Sequence, residues 1–500
     1  MRFLIRRWTH GNAGALVLGV TLLVSAAIGV SCGGSTKVSG TLPGTVVVSI
    51  SDPPSCMPPN GSFTHVFVTV RSVQAHIDPN AGDDSPGWQE LAPQLASDPM
   101  QIDLFSPTQT NCVLAQLGSA SLPVGSYQQI RLLLVSNNPA TGAATPKTSN
   151  ACLGLANVFN CVELSDNSFH ELLLSSQANT GLKIPPGQIV GGPLQVMAGH
   201  SVDLNIDFNA CASIVREGNG AYRLKPTLTA GQVSANDSGI GGQVVDSLTK
   251  APIAGSVMVA IEQPDGTGVD RILMQTAADA NGNFRFCPLP TGTFDIVIDA
   301  VTATNVPYNA TAVLNVPNGV NLNTIPLVAE TGATAPAVLQ GFVTATKGAS
   351  AATADVTLAA LQTVALSGST SRQITVPLES INALGATAAA TSTGTVSLEA
   401  NTNCPVGAPV NSNCAPYTLV VPASNPNVGV FSSSGVTYTA PANGDVLFTV
   451  DAQAFVPMSG GTKDCMPSEI PTSKDDGGLA LKAIAATTTK VARIDFSGCS

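Results

Sequence analysis

The chain has 500 residues, a length at which a single hydrophobic core usually gives way to about three domains. Charged residues make up only 11% and aromatic residues 4%, whereas Gly (47) and Pro (35) are abundant, a composition that favours short strands joined by turns over helices. The formal net charge of −11 excludes the cationic footprint of a nucleic-acid-binding protein, so no nucleic-acid partner is expected.

Residues 1–31 have the three-part pattern of an export signal. Three arginines in MRFLIRRWTH precede the apolar stretch GNAGALVLGVTLLVSAAIGVS, which ends in small residues. The stretch resembles a bacterial lipoprotein signal, in which the cysteine after the cleavage point receives the lipid. Ser31 and Val30 fit this resemblance, whereas Gly29 departs from it, since leucine is usual there.

The resemblance implies a mature chain that starts at a lipidated Cys32, with residues 32–43 as a flexible tether. It also implies that Gly33 directs the protein to the outer membrane of the bacterial cell envelope. Two alternatives stay open: an uncleaved signal anchor, and an ordinary signal peptide with Cys32 as a spare thiol. In the lipoprotein interpretation the protein is exported, and the membrane is its partner through the N-terminal lipid.

Residues 44–232 are predicted to form a β-rich domain. Alternating segments such as GTVVVSIS and THVFVTVRSVQAHI have the period of strands, and only 111–121 and 167–177 have spacing compatible with short helices. The ordered blocks VSISDPP, THVFVTVRSVQAHI, GWQEL, IDLFS, LPVGSYQQIRLLL, HSVDLNIDFNACASIV and YRLKPTL resemble the bacterial domain of unknown function 4382. That family is typically found in exported lipoproteins, and the resemblance carries no catalytic residue.

A second β module is predicted for residues 239–330. Its Asn281–Gly282 pair suits a hairpin turn, because Gly282 tolerates the positive φ that a primed turn requires, and Phe284 and Phe286 then alternate onto one face. The pattern GGQVVD, PIAG, NGNFRF and LPTGTF resembles the carboxypeptidase regulatory-like domain. The resemblance implies a small transthyretin-like sandwich, commonly classed with carbohydrate-binding-like folds.

Residues 337–500 are predicted to form a third sandwich, partly of low complexity. Segments such as ADVTLAALQTVAL and YTLVVPA have strand patterns, and VTYTAPA resembles a motif of bacterial immunoglobulin-like domains. Disorder over 348–397 is the alternative, because small uncharged residues bury little area. The predicted fold class is all-β: three successive β-sandwich-like domains with few short helices, stapled by disulfides.

Ten cysteines follow Cys32, an even number that suits disulfide bonds in an exported protein. Their spacing predicts three pairs: Cys152–Cys161, Cys404–Cys414 and Cys465–Cys499. Three cysteines of the first domain then remain: Cys56, Cys112 and Cys211. Because this is an odd set, either Cys287 joins one of its members across the linker or one thiol stays free. Metal binding by cysteines is not expected, because no Cys-x-x-Cys pair occurs.

Motifs for zinc peptidases, serine hydrolases, phosphate loops and dinucleotide binding do not occur in the sequence, and no cofactor is expected. The alternative of a secreted hydrolase with its carboxylates in the 44–232 domain depends on Asp203 and Asp207, which share one face of a predicted strand. Solubility explains the same two residues equally well.

A few other residues are weak candidates for ligand binding. The loop with Asp78, Asp83 and Asp84 has oxygen ligands suited to calcium, or is a solvated acidic turn. Two histidines that flank a strand, His65 and His76, are a weak candidate for a shared metal site. Two aromatic residues, Trp88 and Tyr127, are a sugar-stacking platform or, more simply, core residues.

Together these observations indicate a non-enzymatic, surface-anchored lipoprotein that acts as a binding or envelope scaffold protein. Its partners would be a polysaccharide, bound weakly by the 239–330 module, or another envelope protein.

Overall fold

The computed structural model describes most of the chain after residue 41. The described residues are 42–51, 63–105, 115–148, 150–174, 181–184, 188–190, 192–216, 221–224, 227–233, 239–287, 289, 292–352, 354–365, 371–378, 395–398, 404–455, 465 and 467–499. The predictions for the signal, the lipidation site Cys32 and the tether up to residue 41 lie outside them. So do Cys56, Cys112 and the side chain of Cys211.

The predicted fold class is confirmed, because strands dominate the described residues throughout. Helical structure among them is confined to one four-residue α-helix, α1 (Ala210–Ser213), one 3-10 turn (Pro93–Ala96) and a single 3-10 position at Gln188. No described helix has the length and apolar character needed to cross a membrane.

The first region contains sixteen strands, fourteen of them in two facing sheets and two, β6 and β12, in a separate pair. They are β1 (Gly44–Ser51), β2 (Phe63–His76), β3 (Gln89–Glu90), β4 (Met100–Asp103), β5 (Ala115–Leu122), β6 (Gly125–Tyr127), β7 (Gln129–Leu134), β8 (Cys161–Leu164), β9 (Phe169–Leu174), β10 (Leu182–Ile184), β11 (Ile189–Val190), β12 (Leu194–Val196), β13 (Ser201–Asn209), β14 (Ile214–Arg216), β15 (Tyr222–Leu224) and β16 (Thr227–Val233).

One sheet has the order β11-β16-β13-β1-β5, and the other has the order β10-β7-β2-β8-β9-β15-β14 with β3 and β4 also paired to β2. Alternation in the sequence produces this packing. Val46, Val48 and Ile50 of β1 point inward and are fully buried, as the period of two in GTVVVSIS predicts. They meet inward side chains of β2 such as Val68 and Val70 in one core.

The two predicted short helices are wrong. Residues 111–121 include β5, which pairs antiparallel with β1, and residues 167–177 include β9, which pairs with β8 and β15. Both segments have apolar residues at spacings that suit a short helix or a strand. The free backbone edges of β1 and β8 decide the outcome, because strand pairing satisfies their N–H and C=O groups.

The second region, residues 239–330, contains seven strands: β17 (Ile240–Asp246), β18 (Gly255–Pro264), β19 (Val269–Ala277), β20 (Asn283–Phe286), β21 (Thr293–Thr302), β22 (Thr311–Pro317) and β23 (Asn321–Leu327). A small sheet, β20-β17-β23, packs over β18, β19, β21 and β22. The turn before β20 is as predicted. Gly282 has φ +78°, and Phe284 and Phe286 both point into the core.

The third region contains twelve strands: β24 (Ala337–Lys347), β25 (Ser350–Ala351), β26 (Ala354–Ala365), β27 (Ser371–Thr375), β28 (Thr395–Leu398), β29 (Asn413–Val421), β30 (Asn427–Ser432), β31 (Gly435–Thr439), β32 (Phe448–Phe455), β33 (Glu469–Thr472), β34 (Thr488–Lys490) and β35 (Ile494–Phe496). One sheet centres on β24, which pairs with β25, β29, β34 and β35. It encloses a core with β26 and β32, to which Leu339, Tyr417 and Val450 contribute.

The second and third regions share one continuous sheet of eleven strands. Its order is β31-β30-β22-β21-β18-β19-β27-β26-β32-β33, with β28 also paired to β26. Parallel pairs β19–β27 and β22–β30 make the two joins. Strands of the third region therefore cover both edges of the second module's larger sheet, which would otherwise expose unpaired backbone groups. The domain limits at 330 and 337 stay a prediction, and the sheet runs across them.

Candidate functional site

The shared sheet carries a cluster of buried charges at its centre, here called the Arg372 cluster: Glu262, Asp270, Asp295 and Arg372. Glu262 on β18 lies directly opposite Asp295 on β21 in the strand register. Asp270 lies at the start of β19, and Arg372 comes from β27, which joins the sheet next to β19. In the second module these carboxylates occupy the strand face opposite to the one that builds its apolar core.

The cluster is held by one guanidinium shared between two carboxylates. Arg372 Nε lies 2.7 Å from Asp270 Oδ2, and Arg372 Nη2 donates to Asp295 Oδ2. The backbone N–H of Asn315 donates to Asp295 Oδ1 over 2.7 Å, and that of Thr375 donates to Glu262 Oε2 over 3.2 Å. The ion pairs therefore link the second region directly to the third.

Burial sets the protonation of the cluster. Glu262 and Asp270 are fully buried and Asp295 is 3% exposed. Desolvation raises the pKa of Asp270 to about 7, with the Asp295 charge acting in the same direction, and raises the pKa of Glu262 well above its usual range. Desolvation also raises the pKa of Asp295, against the pull of Asn315 and Arg372. Three carboxyls around one guanidinium can hold protons, but they are too buried to reach a substrate.

A second ionic link lies on the opposite face of the same sheet. Arg271 on β19 lies 3.0 Å from Asp265 Oδ2 and 2.7 Å from Glu469 Oε1, and it also donates to Asp451. Asp451 is 2% exposed, and desolvation raises its pKa although Arg271 pulls in the other direction. Arginines on both faces thus tie β19 to strands of the third region.

A third contact between the regions is made by Glu330, whose charge also acts on Asp299 inside the second region. Asp299 on β21 is 7% exposed, and burial together with the charge of Glu330 raises its pKa to about 8. Burial raises the pKa of Glu330 to about 7, while Glu330 Oε1 accepts a hydrogen bond of 2.6 Å from the backbone N–H of Ala423. Both carboxyls are therefore predominantly protonated below pH 7 in the folded chain.

The carboxylates named for the hydrolase alternative have separate surroundings. Asp207 is 4% exposed, and desolvation raises its pKa to about 7 while the Ser51 hydroxyl donates to it over 3.2 Å. Asp203 is only half-buried on the same strand face. Near Asp207 the Thr229 hydroxyl donates to the Leu273 carbonyl of β19 over 3.0 Å, so this face meets the second module. Asp207 therefore lies in a packed junction.

The 78–84 loop is fixed by an ion pair. Lys183 Nζ lies 2.8 Å from Asp83 Oδ1, and the Asp83 carboxylate is only 9% exposed, so the alternative of a wholly solvated acidic turn does not describe it. Asp78 Oδ1 accepts the backbone N–H of Asn80, and Asp84 is exposed. The described residues contain no group of three or more metal-ligating side chains placed to hold an ion. Calcium binding by this loop stays a weak prediction.

The two histidines of β2 have separate roles. His65 and His76 are eleven residues apart on one strand, or about 35 Å at the usual rise, so they cannot share an ion. His65 Nδ1 lies 2.6 Å from Asp103 Oδ2, and its ring stacks on Phe67. His76 accepts the backbone N–H of Asp78 at Nδ1 and donates to the Pro86 carbonyl from Nε2.

The two aromatic candidates do not form a platform. Tyr127 is 2% exposed and its hydroxyl donates to the Pro123 carbonyl, as expected of a core residue. Trp88 is half-buried, with the Arg131 guanidinium 4.0 Å from its ring centroid and the His76 ring 5.1 Å away. Arg131 also donates to the Asp83 carbonyl over 2.9 Å, so Trp88 helps to hold the 78–84 loop.

Three disulfides join the described cysteines, and they are the three pairs expected from spacing: Cys152–Cys161, Cys404–Cys414 and Cys465–Cys499. Cys287 is disulfide-bonded as well. Its partner is not among the described side chains, so the alternative in which Cys287 joins the odd set of the first region stays a prediction. Those three cysteines lie outside the described side chains.

Sequence reasoning missed the charges that link the regions. Glu262, Asp295 and Asp299 alternate with core residues, and this pattern is typical of a solvent-facing side of a strand. A signal does exist in Arg372 of β27, which is an isolated charge in a region with very few charges. Its partners lie 77 and 102 positions away, and the sequence alone does not identify them.

Comparison with known proteins supports the first resemblance. Residues 43–226 match the family profile of the Domain of unknown function (DUF4382), close to the limits 44–232 expected from the sequence. A search of curated proteins found no significant match.

Solved structures with local similarity include three bacterial proteins. The Bacillus anthracis TIE protein is 8% identical, with 91% of this chain and 50% of that chain covered and a TM-score of 0.16. A putative cell adhesion protein from Bacteroides ovatus is 10% identical, with 41% and 96% covered and a TM-score of 0.14. GBS52, the minor pilin of Streptococcus agalactiae, is 13% identical, with 59% and 99% covered and a TM-score of 0.15.

The chain thus spans about half the length of the TIE protein, and all three scores are too low to assign a shared overall fold.

Proposed function

We propose that the protein is a non-enzymatic binding or scaffold protein of the bacterial cell envelope, anchored through a lipid on Cys32. One observation carries the scaffold part of this proposal: the eleven-stranded sheet joins residues 239–499 into one body, locked on both faces by Arg372 and Arg271. Such a body resists bending between modules, because bending would break strand pairs and separate buried charges. A stiff body on a short tether suits the display of a surface away from a membrane.

The anchor part depends on the N-terminal sequence. The apolar stretch, the small residues before Cys32 and the match of the following domain to DUF4382 support export and lipidation. Gly33 supports the outer membrane as the destination. The partner would then be a polysaccharide or an envelope protein on the side that the body faces.

The hydrolase alternative has less support, because its carboxylates have other roles. Asp207 is buried against the second module and Asp203 lies four residues away on an otherwise structural strand. Weak carbohydrate binding by the 239–330 module also lacks a stacking surface. All four aromatic side chains of the module are buried: Phe284, Phe286, Phe294 and Tyr308. Sugar contacts would have to come from polar loops.

The experiment is fractionation of cells that produce the full chain, the Cys32→Ser variant and a Ser35→Ala control. We expect the parent and the control in the membrane fraction and the Cys32→Ser variant in the soluble fraction. A Cys32→Ser variant that stays with the membrane would overturn the lipid anchor and favour an uncleaved signal anchor. Glycan arrays should use the full mature chain, because the 239–330 module shares its sheet with the third region.

A further inference from the structure

Exposed apolar side chains cluster at the end of the first region where the described chain begins. Four large aliphatic residues are exposed there, each on a different loop or chain end: Leu42 (70%), Met197 (59%), Ile77 (55%) and Val124 (44%). Leu42, Val124 and Met197 are each flanked by a small or apolar exposed residue (Pro43, Pro123 and Ala198), whereas Ile77 lies between His76 and Asp78. We call this surface the apolar end.

Backbone contacts place the four residues beside one another. The Gly199 N–H donates to the Pro43 carbonyl over 3.1 Å, and the Thr45 N–H donates to the His200 carbonyl over 2.8 Å, so residues 43–45 lie along the 197–200 turn. Val196 of β12 pairs with Gly125 of β6, which brings the Met197 turn next to Val124.

The fourth side of the apolar end is closed by Ile77. The Gln128 side chain donates to the Ile77 carbonyl over 3.1 Å. Gly125 also lies next to the Ile77 side chain, because a Cβ built on Gly125 would be 3.9 Å from Ile77 Cγ2. The four side chains therefore belong to one contiguous region of the surface.

This surface is almost uncharged. The exposed segments that form it contain no lysine or arginine, and their titratable groups are Asp78, His76 and His200. The side chain of His76 is buried and hydrogen-bonded, whereas Asp78 accepts the Asn80 N–H at its edge. Attraction to anionic lipid headgroups would need basic residues, so for the described part of this surface contact with a neutral apolar phase is the favourable term.

The position of the apolar end relative to Cys32 identifies what covers it. Ten residues separate Cys32 from Leu42, a stretch that reaches at most about 35 Å when fully extended. A lipid on Cys32 would therefore keep the apolar end within a short distance of the bilayer surface.

We infer that the apolar end rests on the bilayer, with Leu42, Ile77, Val124 and Met197 inserted at the headgroup–acyl boundary, so that the protein stands in a fixed orientation on the membrane. This inference depends on the lipid anchor of the proposed function. Short tethering raises the effective concentration of the surface at the membrane, so even a weakly favourable contact is occupied.

The test separates this surface from the anchor itself. The full mature chain with Cys32→Ser and an N-terminal histidine tag is bound to phosphatidylcholine vesicles that contain a nickel-chelating lipid. Hydrogen exchange is followed by mass spectrometry in peptides that cover 42–45, 75–79, 122–127 and 195–200. We expect exchange about tenfold slower on vesicles than in solution, which corresponds to a docking free energy of about 1.4 kcal/mol.

A triple variant, Ile77→Asp, Val124→Asp and Met197→Asp, should lose the slowing, whereas the matched control Leu153→Asp should keep it. Leu153 is also an exposed leucine of the first region, at 66%, next to the Cys152–Cys161 disulfide. Raising the salt concentration should leave the effect unchanged.

Equal exchange on vesicles and in solution would overturn the inference. So would slowing in solution that depends on protein concentration, because a second copy of the chain would then cover the apolar end. Mass spectrometry of Cys32 in the cell-made protein tests the anchor separately. An unmodified Cys32 combined with slowed exchange would refute the anchor and leave the lipid-facing surface in place.

Discussion

The carboxyl pair Asp299 and Glu330 should make the protein less stable as the pH rises from 5 to 7. Burial raises the pKa of Asp299 from 3.8 to about 8, so the folded chain keeps the proton over this range. The unfolded chain loses it above about pH 4. A carboxyl whose pKa is raised by folding contributes stability that is full below the unfolded pKa and is lost as the pH rises through the folded pKa.

The size of the effect follows from proton linkage. Between pH 5 and 7 the unfolded state binds about one proton fewer at Asp299 than the folded state does, which costs about 1.4 kcal/mol of stability per pH unit. Two pH units therefore remove about 3 kcal/mol through Asp299 alone. The Asp299→Asn variant has no proton to lose at this position. Relative to the parent, it should gain about 3 kcal/mol on going from pH 5 to 7.

The assay is urea unfolding at pH 5 and pH 7, followed by circular dichroism, for the parent, Asp299→Asn and Asp476→Asn. Asp476 is exposed, so its variant should follow the parent at both pH values. The free energy of unfolding is compared for the transition that includes β21. If Asp299→Asn loses as much stability between the two pH values as the parent does, Asp299 is ionised in the folded chain and the reasoning is wrong.

Three further predictions concern single positions. Arg372→Met should lower the free energy of unfolding at pH 8 by about 3–5 kcal/mol, because it leaves buried carboxylates without a cation. Arg372→Lys keeps a positive charge and should lose less stability. Equal losses of stability for the two variants in chemical denaturation would contradict this. Gly282→Ala should lower Tm more than the control Gly266→Ala. Both glycines have a positive φ, but only the alanine at position 282 would place its Cβ 2.2 Å from the Val244 carbonyl oxygen. Millimolar calcium should leave Tm unchanged, and a rise would show that the 78–84 loop binds the ion.

Sequence patterns were sufficient for the parts of the fold that depend on local chemistry. Alternation in β1 and in the NFRF segment predicts inward-facing residues, because a strand has a side-chain period of two. Gly282 marks its turn for a steric reason that needs no partner. The disulfide pairs follow from short separations along the chain, which leave few competing partners.

The arrangement of the regions depends on contacts that local patterns do not encode. β27 (SRQIT) and β30 (NVGVFS) are not among the strands predicted from the sequence, and nothing in their residues shows that each extends an edge of the second module. The Asp83–Lys183 and Arg372–Asp295 pairs join positions far apart in sequence, so the charges look like solvated groups until the fold is known. Short segments with mixed spacing, such as 111–121, are decided by the strands beside them.

The claim that residues 239–499 act as one body has a direct test in hydrogen exchange of the full mature chain along a denaturant series. If the eleven-stranded sheet joins the two regions, peptides from β19 (Val269–Ala277) and β27 (Ser371–Thr375) should lose protection at the same denaturant concentration. Loss of protection in β27 while β19 and β21 stay protected would show that the second module unfolds independently, and would contradict the scaffold account.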